Sequence, residues 1–117
     1  MRIWSLAVVF LLTISAGAVF ADAREDAKKQ VEFGIAVAQR GLWREAIYRW
    51  ERATQIDPTY AAAHNNLAIA YEHEGDLAKA RAAYEKALEI EPTNTFIKQN
   101  YELFKEINER TTRQDTQ

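Results

Sequence analysis

The chain has 117 residues, with 15 Lys and Arg against 17 Asp and Glu, no cysteine and only two prolines. Near-neutral, mixed charge argues against nucleic acid or an anionic membrane surface as a partner, and the lack of cysteine excludes a disulfide framework and a lipid-attachment cysteine. A composition rich in Ala, Glu, Lys, Arg and Leu fits an all-helical domain held by packing alone.

Residues 1–21 read as a targeting segment and stand outside the fold argument. Arg2 supplies the positive start, and Ile3 to Ile14 runs without a charge. Small residues then lead to Val19-Phe20-Ala21, a signal-peptidase type of site before Asp22-Ala23-Arg24-Glu25-Asp26, with Ala21-Asp22-Ala23 as a second candidate. The competing reading is a retained anchor, because Ile3 to Ala21 is long enough to cross a bilayer. Ser5, Thr13, Ser15 and Gly17 dilute that run. Either way the folded part is expected outside the cytoplasm, periplasmic or secreted, and tethered to a membrane only if the segment is kept.

Residues 27–60 then superimpose on 61–94 without a gap. Ala27/Ala61, Ile35/Ile69, Ala36/Ala70, Gly41/Gly75, Ala46/Ala80, Glu51/Glu85, Ala53/Ala87, Ile56/Ile90, Pro58/Pro92 and Thr59/Thr93 coincide. Small residues, a glycine and a proline recurring in register mean one helical hairpin built twice. In the first unit, helix A is expected over about 27–40 with Val31, Phe33, Gly34, Ile35 and Val37, closed by Gly41. Helix B follows at about 43–56, with Trp43, Ala46, Ile47, Trp50, Ala53 and Ile56 spaced by three and four. Pro58 ends the unit and drives Asp57 out of helical geometry.

The second unit carries Leu67, Ala68, Ile69 and Tyr71 on helix A, closed by Gly75. Asp76 is a good N-cap for its helix B, whose apolar face is Leu77, Ala80, Tyr84, Ala87, Leu88 and Ile90. Leu42, at the matching place in the first unit, accepts no hydrogen bond, which weakens that helix start by about 1 kcal/mol. Ala46, Ala53, Ala80 and Ala87 belong where paired helices cross closely, with Trp50 and Tyr84 filling the wider gap beside them.

The two segments resemble tetratricopeptide repeats, whose period is 34 residues. Gly34 or Ala68, Val37 or Tyr71, Ala46 or Ala80, Trp50 or Tyr84, Ala53 or Ala87 and Pro58 or Pro92 occupy the signature places. Gln30 and His64 depart from it, standing where tryptophan is frequent. The resemblance implies an all-α fold, a short α-solenoid. Residues 95–110 then stand where the helix A of a third repeat would begin, as a capping helix whose Ile97, Tyr101 and Phe104 face the second repeat. Asn94 or Thr95 can cap it, and polar residues 111–117 are expected to fray as a disordered tail.

No catalytic constellation stands out. His64 and His73 are nine apart, too far for a metal pair on one helix, and both serines, Ser5 and Ser15, lie in the targeting segment. No enzyme activity, cofactor or metal is expected. Arg40, Arg44, Arg49 and Arg52 are interleaved with Glu45 and Glu51 and read as a mixed solvated face.

The resemblance implies that A helices line the concave side. By register, one row there is Ile35, Ile69 and Leu103, a second Val31, Asn65 and Gln99, and a third Lys28, Ala62 and Phe96, with Ala38, Glu72 and Glu106 at the mouth. An apolar centre flanked by amides suits a peptide or helix of another protein. Asn66 matches one place of the clamp with which some relatives bind acidic chaperone tails, but Val31, Ile35, Phe96 and Asn100 do not match the others. The expected function is therefore a protein-binding adaptor in the cell envelope. The alternative is a structural subunit that self-assembles through the groove or the cap helix.

Overall fold

The computed structural model describes residues 16–116, and the charge-free run Ile3–Ile14 on which the targeting expectation rests lies outside them. Five helices follow one another: α1 (Ala16–Gln39), α2 (Trp43–Ile56), α3 (Ala61–His73), α4 (Leu77–Ile90) and α5 (Thr95–Asp115). α1 packs on α2 and α3 on α4. The hairpins join through α2 and α3 and through α1 and α3, and α5 closes against α4.

Each hairpin turns at a glycine. Gly41 and Gly75 have φ of 79° and 80°, a region that strains any side chain. The amides of Leu42 and Gly41 return to the carbonyls of Val37 and Ala38 at 3.0 and 2.9 Å. Those of Asp76 and Gly75 return to Tyr71 and Glu72 at 2.8 and 3.1 Å. Both turns are thus the same Schellman closure. The helices that follow differ in their caps as the sequence predicts: Asp76 accepts from the Lys79 amide, whereas Leu42 makes no cap bond.

Inside each hairpin the crossing alanines Ala46, Ala53, Ala80 and Ala87 are fully buried. Beside them an aromatic residue from helix B fills the gap, and its size matches the residue opposite. Trp50 lies so close to Gly34 that an added Cβ would sit 2.3 Å from its Nε1. That indole N–H donates to the Val31 carbonyl at 3.0 Å. In the second hairpin the smaller Tyr84 leaves room for Ala68, and both are buried. Gly34 with Trp50 and Ala68 with Tyr84 are two solutions to one packing problem.

α5 docks as the register requires. Asn94 caps it by accepting from the Ile97 amide at 3.2 Å. Ile97 and Phe104 are buried, with the Phe104 and Tyr101 rings 5.4 and 5.5 Å from that of Tyr84. On α5 the places equivalent to Gly34 and Val37 hold Glu102 and Lys105, bridged at 2.7 Å. A charged pair where a further helix B would pack gives the stack a polar end.

Four expectations need correction. α1 is already helical at Ala16, the first described residue, ahead of the predicted 27, so residues 16–26 are continuous with it. α5 continues to Asp115, so most of the segment expected to fray beyond 110 is helical. Leu77, placed on the apolar face of its helix, and Phe33, counted among the apolar residues of helix A, are exposed. Leu77 opens α4 at the hairpin edge, and Phe33 faces outward from the first hairpin, where no preceding repeat packs on it among the described residues. Gln30 also carries a local conflict, since its buried Oε1 lacks a hydrogen-bond partner, an arrangement that typically costs about 1–3 kcal/mol.

Arg24 secures the early part of α1. Its Nε donates to Asp57 at 2.5 Å, a second nitrogen donates to the Thr59 carbonyl at 3.2 Å, and its guanidinium lies 4.8 Å from the Tyr60 ring centre. Asp57 also accepts from the Thr59 amide and hydroxyl. Burial pushes the Asp57 carboxyl up, but these hydrogen bonds and the Arg24 charge outweigh it and hold the group below its ordinary value.

Two predictions follow from this packing. Gly34→Ala should destabilise the domain by about 1–3 kcal/mol through overpacking, and much less in a Trp50→Tyr background, which recreates the second hairpin's pair. Urea titrations arranged as a double-mutant cycle measure that coupling. A carboxyl depressed in the folded state stabilises the fold above its unfolded value and loses that contribution as acid protonates it. The drop in urea midpoint from about pH 7 to about pH 3 should therefore be smaller in Asp57→Asn than in the native chain.

Candidate functional site

The three A-type helices α1, α3 and α5 line one face of the stack, and their register rows can now be placed. Ile35 is 41% exposed, Ile69 is half-buried and Leu103 is 57% exposed. Beside them Phe96 is 62% exposed, and Lys28 and Gln99 reach solvent while Ala62 is half-buried. Ile107, one turn beyond Leu103, is also exposed.

Two members of the expected groove do not belong to its surface. Val31 is buried in the core, because its place on α1 turns it toward α2, where its carbonyl receives the Trp50 indole. Asn65 is only 3% exposed and accepts from the Asn100 side chain at 3.2 Å. This pair ties α3 to α5, so Asn65 is a structural hydrogen bond between A helices. Glu72, at the mouth, is half-buried and accepts from the Tyr84 hydroxyl at 3.1 Å. Glu106 pairs with Arg110.

A second tyrosine contact joins the two hairpins, Tyr71 of α3 donating to Glu51 of α2 at 2.7 Å. Burial and the adjacent carboxylates push both the Tyr71 and the Tyr84 phenol up. Both hydroxyls therefore act as donors at neutral pH, holding carboxylates on a neighbouring helix.

Between α1 and α3 the groove deepens into an open pocket of about 320 Å³, lined by Ile35, Ala38, Gln39, Trp43, Trp50, Asn66 and Ile69. Trp43 is held by a stack on His73, their ring centres 4.1 Å apart. Sequence register found Ile35, Ala38 and Ile69. It missed Trp43 and Trp50, which enter from helix α2, and read Asn66 only as a clamp remnant.

On the outer side, Arg49 is more than a solvated charge. It bonds Glu45 at 2.9 Å while its guanidinium lies 4.2 Å from the Phe33 ring centre and 5.4 Å from that of Tyr48. Arg49 thus covers the exposed Phe33 ring. The histidines are placed without a shared ligand geometry: His64 meets the Pro58 carbonyl at 2.9 Å, and His73 stacks on Trp43. Among the described residues no three His, Cys, Asp or Glu side chains cluster as a metal site.

Comparison with known proteins agrees with this architecture. A tetratricopeptide repeat model matches residues 61–94 and a TPR repeat model matches residues 34–75. The chain is 37% identical over 86 residues to a probable UDP-N-acetylglucosamine–peptide N-acetylglucosaminyltransferase SPINDLY of Solanum lycopersicum, covering 70% of this chain and 9% of that one. It is 34% identical over 64 residues to the protein O-mannosyl-transferase TMTC4 of Mus musculus, covering 55% of this chain and 9% of that one. It is also 32% identical over 71 residues to the type IV pilus assembly protein PilF of Pseudomonas aeruginosa, covering 61% of this chain and 28% of that one. The chain thus spans a minor part of the length of each of these relatives.

The position of Asn65 separates structure from recognition. Asn65→Ala leaves the half-buried Asn100 amide without its partner and should cost about 1–3 kcal/mol of stability, measured by urea unfolding. Partner affinity per folded molecule should stay unchanged.

Proposed function

Because this chain belongs to the tetratricopeptide repeat family, whose stacked units present binding surfaces, we propose that it is a non-catalytic adaptor of the cell envelope. It holds a peptide or helix of another protein in the groove of α1, α3 and α5. The observation that carries this reading is the row Ile35, Ile69 and Leu103, apolar on three successive A-type helices and open to solvent at both ends. Two other rings at the surface are met by charge, Phe33 by Arg49 and Tyr101 by Lys105. The groove centre has no such cover, and an exposed apolar run of this kind is a binding feature.

Export rests on the charge-free Ile3–Ile14 run and the small residues before Asp22. The likeness to a protein named for type IV pilus assembly supports an envelope setting. The relatives named as transferases match over the repeats and only a small share of their length, so no transfer activity is carried over. Phe96, Leu103 and Ile107, all exposed on α5, favour a second reading in which the partner is another copy of the chain.

The test is capture of partners from a cell-envelope fraction with the tagged protein and with Ile35→Ser, Leu103→Ser and Arg52→Ala. Ile35→Ser and Leu103→Ser remove exposed side chains and should weaken binding by roughly 1–3 kcal/mol with little change in melting. Arg52→Ala, on the outer side, should be neutral. Capture that survives both groove changes and fails with Arg52→Ala would place the partner on the convex face. A solution mass that is dimeric, and monomeric in Leu103→Ser, would establish the self-assembling reading.

A further inference from the structure

The pocket between α1 and α3 has a chemistry narrower than the groove around it. Its walls are the side chains of Ile35, Ala38, Trp43, Trp50 and Ile69, and no charged residue lines it. The one polar atom of Trp50 is already bonded to the Val31 carbonyl, so this indole offers the pocket only carbon. Trp43 is braced from behind by His73, which keeps that wall in place. At about 320 Å³ the space is roughly twice that of an apolar cavity of about 150 Å³ that accepts benzene. It therefore takes an aromatic ring together with its methylene and part of the adjoining main chain.

Two amides complete the lining. Gln39 is exposed and Asn66 half-buried, and neither side chain is bonded to another group among the described residues. Each offers both a donor and an acceptor, the complement of a peptide unit. Uncharged walls likewise disfavour a Lys, Arg, Asp or Glu anchor, whose burial without a counter-charge is costly.

We propose that this pocket receives one bulky, uncharged aromatic side chain of the partner peptide, with the peptide backbone beside it held by Gln39 and Asn66. This inference rests on the groove reading and names the anchor that the partner must carry.

The two tryptophans in the walls report on it directly. The third, Trp4, lies in the leader, and its indole signal is identified with Trp4→Phe. The full chain is titrated with acetyl-Gly-Phe-Gly-amide, acetyl-Gly-Lys-Gly-amide and toluene while the indole N–H resonances are followed by NMR. The Phe peptide should shift the Trp43 and Trp50 signals saturably, and the Lys peptide should not. Ala38→Leu, which fills the pocket, should abolish the shift. Gln39→Ala and Asn66→Ala, which leave the walls intact, should weaken the Phe peptide several-fold and leave toluene unaffected.

Equal shifts with the Lys peptide, or none with the Phe peptide, would overturn the proposal. Toluene binding as tightly as the Phe peptide, with no effect of Gln39→Ala or Asn66→Ala, would make this a site for a free apolar molecule. Shifts of the same signals on dilution without any probe would make a second copy the occupant. Either result also overturns it. If the probes fail while Leu103→Ser still loses the captured partner, the groove reading stands without this anchor. If the Phe peptide binds while Ile35→Ser and Leu103→Ser leave capture intact, the groove reading falls and the pocket, which Ile35 lines, is not the partner's anchor site.

Discussion

The close crossing of the two helices within each hairpin is the constraint on which the other contacts depend. Ala46, Ala53, Ala80 and Ala87 are fully buried and let the helix backbones approach in a way that larger side chains would prevent. Once the helices are that near, the space beside the crossing has a set size, and one aromatic residue fills it. Trp50 takes so much of it that the facing residue has no Cβ, while Tyr84 leaves room for Ala68. A small cysteine-free vocabulary of side chains is enough for this, and no disulfide staples either hairpin.

The same crossing explains how the groove arises. Helix α2 packs on the next A helix, α3, whose Ala63, Leu67 and Ala70 are buried in one core cluster with Trp50 and Ala53. That packing consumes the sides of α3 facing α2 and leaves a third side of each A helix turned outward. Ile35, Ile69 and Leu103 lie on that remaining side. The large α2 indoles reach through between α1 and α3 and become the floor of the pocket, so a residue whose first task is core packing also shapes the binding surface.

Polar contacts lock the relative positions of the helices instead of supplying chemistry. Tyr71 to Glu51, Tyr84 to Glu72 and Asn100 to Asn65 each cross between helices at 2.7–3.2 Å. Arg24 fastens the upstream part of α1 to the boundary between the repeats through Asp57 and Thr59. Because most of these groups are partly buried, each bond depends on its partner being held in place by packing. The result is a preformed groove, which lowers the ordering cost of binding.

Much of this was legible in the residues. The recurrence of Gly41 with Gly75 and Pro58 with Pro92 specified where hairpins turn and end, because glycine takes the left-handed turn without the strain a side chain adds and proline cannot extend a helix. Helix α2 falls on residues 43–56 as its three-and-four spacing predicts. Asp76 and Leu42 differ as caps because one has a side-chain acceptor and the other has none. The extent of the terminal helices was less legible: residues 16–26 are already helical and α5 runs on to Asp115, since no proline or glycine stops the chain between Thr95 and Asp115 or between Asp22 and Gly34. What the sequence by itself determined is the repeat, its helices and the positions that share a face, all of which follow from local periodicity. Only the tertiary structure decided which of those positions meet solvent. It buried Val31 and Asn65, laid Arg49 over Phe33 and brought Trp43 and Trp50 of α2 beside Gln39 and Asn66, because exposure and pocket shape depend on how separate helices approach one another, and a register counted along one helix carries no information about that distance.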